Sequence, residues 1–252
     1  MKAYARLAFG LVAAFVLTVL CAGGLFLSAN HRNRQRAESL LNDIRSFKAG
    51  DTTQADIERL VQRHDGEKQR YGYASACPSA DVFYGVRILN EPLIKVEVAH
   101  PWLHTFGARP WWVSATFFLK EGRLCYLAYT VSEWPHNNEN TELSARAVLA
   151  PSADELSVVI GDKENHRYGI SNRLIRNSSH SLEVTLAPNA TDTERNHAFG
   201  FDLSCLTSLR GCEQVCQFVP LVWSDYLRRL TTEGQVITHQ EECNPSRPSL
   251  TR

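Results

Sequence analysis

The chain has no net charge: its 252 residues carry 27 Lys and Arg against 27 Asp and Glu. That balance excludes a domain-wide basic footprint for nucleic acid. It also excludes an acidic, self-repelling disordered chain. Catalytic signatures are missing too. The sequence holds no GxSxG elbow, no P-loop and no GxGxxG turn, so the hydrolase, nucleotide and dinucleotide sites built on those motifs are not expected. Ser, His and Asp are all present, but a triad is defined by geometry, and no catalytic residue is assigned. No internal repeat is visible. Cysteines never fall in a CxxC pair, which removes the usual redox motif and the zinc-ribbon spacing.

Apolar residues make up 44% of the chain, and a large share of them lies before residue 28. Leu7 to Leu27 is a run of 21 residues without charge, in which Thr18 is the single hydroxyl. As a helix at ~1.5 Å per residue it spans roughly 31 Å, about one bilayer core. A core helix of a soluble protein rarely runs so far without a polar face. A cleaved leader needs a shorter apolar region and a small-x-small site. Ala22 and Gly24 offer such a site, but Leu25, Phe26 and Leu27 continue the run. Leu20 stands before Cys21 where a lipid-modified cysteine needs a small residue. An uncleaved anchor fits best, with contact to the membrane through residues 7–27.

Flanking charge hardly sets its direction. Lys2 and Arg6 precede the span; Arg32, Arg34 and Arg36 follow it. Under the positive-inside rule this is nearly a tie. Six cysteines follow the span, Cys77, Cys125, Cys205, Cys212, Cys216 and Cys243. An even, scattered set suits an oxidising compartment, so the soluble part is expected outside the cytoplasm with these six as disulfide candidates.

The division expected is an anchor over 1–30, an α+β domain over 31–235 with a loop or sub-boundary at 133–153, and a disordered tail over 236–252. Ala37, Leu40, Leu41, Ile44 and Phe47 follow helical spacing between His31 and Lys48. Gly50 stops that helix, and Asp51, Thr52 and Thr53 offer caps for a second with Ile57, Leu60 and Val61 on its apolar face. Strands are expected at Asp81–Leu89, Leu93–Val98, Glu155–Ile160, Ser181–Leu186 and His197–Ser204. The strongest local pattern is a hairpin, Trp112–Lys120 and Arg123–Val131, turned at Glu121-Gly122. Its two apolar faces place it centrally in a sheet with helices on one side. Cys205–Phe218 and Pro220–Leu230 read as helices. Helices, then antiparallel strands, then helices make an α+β domain, an antiparallel sheet packed against helices.

Gly50-Asp51-Thr52 followed by Ile57 and Leu60 resembles the helix-start motif of small SmpA/OmlA-type envelope lipoproteins. The likeness implies a helical pair packed on a short antiparallel sheet. It covers only this segment, the Thr-to-Ile spacing is one residue longer, and the lipid cysteine is absent. No function is carried over from it.

Three places hold candidate chemistry. Cys212 and Cys216 would share a helix face one turn apart, and with Cys205, Cys243 or His239 they could ligate a metal; pairing as disulfides, with Cys77 and Cys125 as a further pair, is the reading adopted. His100 and His104 stand four apart, but Pro101 follows the first, and neither a third ligand nor the glutamate of HExxH is present. No metal or cofactor is expected. Trp102, Phe106, Trp111 and Trp112 crowd three of the five tryptophans into one stretch. They either fill the core beside the hairpin or form an exposed aromatic lip, with Trp102, Phe106 and Trp111 as binding residues. The expected function is an anchored domain that binds a protein or an envelope component. The alternatives are a hydrolase with a site around His100, His104 or His197, and a cysteine-based metal or redox module.

Overall fold

The computed structural model describes residues 2–69, 77–89, 91–99, 110–133, 143–150, 160–161, 168–175, 179–208, 211–212 and 214–232. Helix α1 runs unbroken from Lys2 to Ile44, so the apolar run and the first amphipathic helix of the domain are one element. Nothing between them breaks a helix: residues 25–37 contain neither proline nor glycine. Helix α2, Gln54–Arg63, begins at Thr53 in a reciprocal capping box with Asp56. Ile57, Leu60 and Val61 are its buried residues, as their spacing predicts.

Among the described residues eight strands follow: β1 Glu67–Gln69, β2 Val82–Leu89, β3 Trp111–Lys120, β4 Arg123–Glu133, β5 Leu143–Leu149, β6 Ile160–Gly161, β7 Tyr168–Ile175 and β8 Ser179–Leu186. They form a single sheet in the order β1-β2-β3-β4-β5-β8-β7-β6. Neighbours are antiparallel except β5 and β8, which run parallel. The expected all-antiparallel sheet is therefore corrected to a mixed one. The chain leaves β5, builds β6, β7 and β8 as an antiparallel set, and docks that set through its last strand.

The β3–β4 hairpin turns at Glu121 and Gly122, both with positive φ (52° and 73°). Two such residues make the mirror-image turn whose twist suits a two-residue loop. Pairing shifts between Phe118 and Leu119: Phe118 faces Tyr126, whereas Leu119 faces Leu124. Cys125 is thus the extra residue of a bulge. Beyond it Leu127, Tyr129 and Val131 join the main core, while Cys125 packs with Tyr126 and Ala128 on the other face.

Helices cover one face of the sheet. Leu40 and Ile44 of α1 and Ile57 of α2 are fully buried against Val113, Phe117, Leu127 and Tyr129. From the other end come helices α4, Asp192–Ala198, α5, Val215–Phe218, and α6, Pro220–Thr232. They bring Phe199, Phe218 and Val222 into the same core. Pro220 opens α6 as its tolerance of a first turn implies.

Four further expectations are corrected. Leu93–Val98 lies in helix α3, Glu91–Ala99, because Pro92 suits a first helical turn and Glu91 sits four residues before Lys95, 3.6 Å away. His197–Ser204 is no strand: Thr191 and Glu194 close a second capping box that starts α4, which is followed by irregular chain and the 3-10 turn Ser204–Thr207. The long helix expected over Cys205–Phe218 shortens to that turn and α5, because Gly211 takes a φ of 64° and Cys205 is bonded to Cys212. The loop expected over 133–153 contains β5, whose Leu143, Ala145, Ala147 and Leu149 alternate into the core. In the strand expected at Glu155–Ile160, residues 155–159 lie outside the described residues.

Candidate functional site

The junction between the apolar run and the domain carries the most specific geometry. Phe9, Leu11, Leu17 and Leu25 are each more than 60% exposed, so no described residue covers this end of α1. The Thr18 hydroxyl donates to the Ala14 carbonyl at 2.9 Å, which satisfies the one hydroxyl of the run inside its own helix. From Asn30 onward the same helix is locked into the domain. Asn30 is buried; its carboxamide oxygen accepts the Trp111 indole N–H at 2.8 Å. Its amide reaches the Leu206 carbonyl of the 3-10 turn at 3.5 Å. Arg34 donates to the Thr207 hydroxyl at 2.9 Å and pairs with Glu38 at 3.0 Å. Arg36 pairs with Asp65 at 2.8 Å, and the Tyr129 hydroxyl donates to the Ala37 carbonyl at 3.3 Å. Two of the three arginines that follow the span are therefore engaged by the domain itself.

Trp111 is fully buried, which removes it from any exposed aromatic lip. It fills the core because inward positions of β3 face the helices, and its one polar atom is satisfied by Asn30. Trp102 and Phe106 lie outside the described residues. Opposite Trp111 across the β3–β4 pair stands Glu133, whose carboxylate is wholly buried and accepts the Cys212 backbone N–H at 3.0 Å and 3.2 Å. One end of the hairpin thus holds both α1 and the cysteine-rich turn.

The cysteines are covalently used. Cys77 is bonded to Cys125 and Cys205 to Cys212. Cys216 is also disulfide-bonded. None of these sulfurs is a free thiolate, so none can ligate a metal in this state. Cys21 is free and exposed. Cys243 and His239 lie outside the described residues, as do His100 and His104. No cluster of three potential metal ligands occurs among the described residues.

Beside the 3-10 turn lies a cleft of about 460 Å³. Pro220, Trp223, Ser224 and Leu227 line one wall, at the spacing of a single face of α6. Ser204 and Cys205 come from the turn, and Gln214, Cys216 and Gln217 from the α5 region. The Trp223 indole N–H is buried and has no hydrogen-bond partner among the described residues. A second cleft, about 490 Å³, separates the end of α1 from α2 and is lined by Asp43, Lys48, Asp51, Asp56, Arg59 and Arg63 among others. Its charges largely satisfy one another: Asp43 pairs with Arg63 at 3.0 Å and His64 at 2.8 Å, and Asp56 pairs with Arg59. Burial raises the Asp43 carboxyl, but the bonds from His64 and Arg63 outweigh it and hold its pKa below the ordinary value.

His197 of α4 meets Asp225 of α6 through Nδ1 at 2.7 Å. That bond would orient an imidazole for base catalysis. Asp225, however, also pairs with Arg228, and among the described residues no serine or cysteine is hydrogen-bonded to His197. The arrangement is a hydrogen-bonded bridge between two helices. No family model, curated protein or solved structure matches this chain.

The residues that organise the junction were hidden in the sequence for identifiable reasons. Asn30 is the first strongly polar residue after the apolar run, which reads as an ordinary flank. Glu133 stands where the composition turns polar, which reads as the start of a loop.

Proposed function

We propose that this chain is a single-pass membrane protein whose extracytoplasmic α+β domain binds a protein or an envelope component at the membrane surface. The observation that carries the reading is the two-solvent character of α1. Its first part exposes Phe9, Leu11, Leu17 and Leu25; its last part buries Ala37, Leu40 and Ile44 completely. An aqueous protein does not leave such a stripe bare, since an exposed apolar surface of this extent marks a membrane or partner contact. Because the helix is continuous across the junction, the domain is held at a fixed height rather than on a flexible linker.

Two further observations support the topology. Disulfides persist in oxidising compartments, and the domain holds Cys77–Cys125 and Cys205–Cys212. Arg34 and Arg36 are bound by the domain, which explains their presence after the span without assigning them to a cytoplasmic flank. The test is fractionation. The full chain should stay in the membrane pellet at alkaline pH, and protease added from the extracytoplasmic side should reach the domain. Release into the supernatant, or protection of the domain on that side, overturns the reading.

A further inference from the structure

We propose that the cleft between the 3-10 turn and α6 holds an ester-linked acyl chain of a membrane phospholipid. The inference rests on the membrane-anchored reading and deepens it. It starts from height. Asn30 and Arg34 grip Leu206 and Thr207 of the turn. At ~1.5 Å per residue they stand about 5 and 11 Å past Leu27, where the apolar run ends. The polar layer on each side of a bilayer is roughly 5–8 Å thick. The Leu206 contact therefore lies within this layer and the Thr207 contact just beyond it, which sets the turn that forms one wall of the cleft at the outer headgroup level.

Size decides between a lipid and a protein. A specific protein interface needs about 800 Å² from each partner, whereas ligand clefts enclose roughly 300–1,000 Å³. The cleft, at about 460 Å³, belongs to the second class. Its chemistry fits an acyl chain with one acceptor. Pro220, Trp223 and Leu227 give an apolar wall; among the described residues no Lys or Arg lines the cleft and the carboxylate of Asp202 does, so a phosphate is not gripped there. Among the described residues the Trp223 indole N–H has no acceptor, and the residue is only 7% exposed. A buried donor left unpaired costs about 1–3 kcal/mol, and an ester carbonyl is the acceptor a lipid supplies. Both sides of the cleft are held covalently, at Cys205 and Cys216, so the shape exists before the ligand arrives.

The experiment places a benzophenone amino acid at Leu227 in the full-length chain, irradiates the protein in its own membranes, and identifies adducts by mass. A control carries the group at Arg59, on α2, and a second cleft probe replaces the exposed Ser224. The expected result is a phospholipid adduct at 227 and 224 and at least tenfold less at 59. Trp223→Phe, which keeps an aromatic ring but removes the donor with the pyrrole half of the indole, should lower the adduct yield several-fold. Each variant is checked for an intact Cys205–Cys212 bond by peptide mapping, and a cleft probe that loses it is replaced by the other. A protein adduct at both cleft positions, or equal lipid labelling at 59 and 227, overturns the proposal. Alkaline extraction of the same samples separates the two readings. A pelleted chain without a cleft-specific lipid adduct defeats the lipid site alone, and a soluble chain defeats the anchor.

Discussion

Asn30 is the residue on which the junction turns, because it satisfies two groups from different parts of the fold: the Trp111 indole and the Leu206 carbonyl. Trp111→Phe keeps an aromatic ring at this position but removes the indole N–H that Asn30 accepts in a buried setting. It should lower unfolding free energy by about 1–3 kcal/mol, measured by denaturant titration of the domain in detergent. An unchanged midpoint would show that water replaces the indole. Asp43 makes a second prediction at this scale. Its pKa is depressed in the fold, below 3.8, by His64 and Arg63 against the opposing effect of burial. A depressed carboxylate contributes stability that is complete above its unfolded value and lost as pH falls through the folded one. The acid limb of the stability profile should therefore steepen below the ordinary carboxylate range, and Asp43→Asn should flatten it. An identical acid limb in the variant would remove Asp43 from the account. Of the site residues, the cysteines were legible because their number and scatter imply oxidation. The buried role of Trp111 was one of two readings open in the sequence, and only the pairing of β3 with the helices separates them. Trp223 gave no signal, since an unpartnered donor is a property of packing.

At the scale of elements, α1 does two jobs that separate cleanly along its length. Leu40→Ala, at a fully buried position, should destabilise the domain by about 2–5 kcal/mol while leaving membrane retention untouched. Loss of retention in this variant would mean that the domain, and not the apolar run, holds the chain at the membrane. The elements the sequence revealed are those with signals inside a few residues. Asp51, Thr52 and Thr53 announce the start of α2, Glu121-Gly122 announces the hairpin, and the alternation of Leu182, Val184 and Leu186 announces β8. Those it concealed depend on partners far away in the chain. Strand β5 is rich in alanine, a weak strand former, and becomes a strand because β4 and β8 flank it. Helix α3 carries an apolar alternation that fits a strand equally well, and short apolar runs are ambiguous between the two. The Phe118–Leu119 shift sets Cys125 on the same face as Tyr126 and Ala128, and no periodicity argument foresees a bulge.

For the molecule as a whole, the disulfides divide between fold and cleft, and the division can be measured. Of seven cysteines, four are joined in two bonds, Cys21 is free, and Cys216 is bonded. By count, peptide mapping of non-reduced protein should link Cys216 to Cys243, and a thiol label on unfolded, unreduced protein should modify Cys21 alone. Label on any other cysteine would break this assignment. The two defined bonds close chain segments of very different length, with separations of 48 and 7 residues. On the loop-entropy account the longer closure contributes about 4 kcal/mol and the shorter about 2.5 kcal/mol. The longer bond joins the bulge at Cys125 to the packing on the second face of the sheet, away from the cleft. The shorter one shapes a cleft wall. Replacing Cys77 and Cys125 by alanine should therefore cost more stability and leave cleft labelling intact, whereas replacing Cys205 and Cys212 should cost less stability and abolish it. A larger stability loss on replacing Cys205 and Cys212 would show that loop entropy does not set the ranking, and unchanged cleft labelling in that variant would show that the cleft does not depend on covalent bracing.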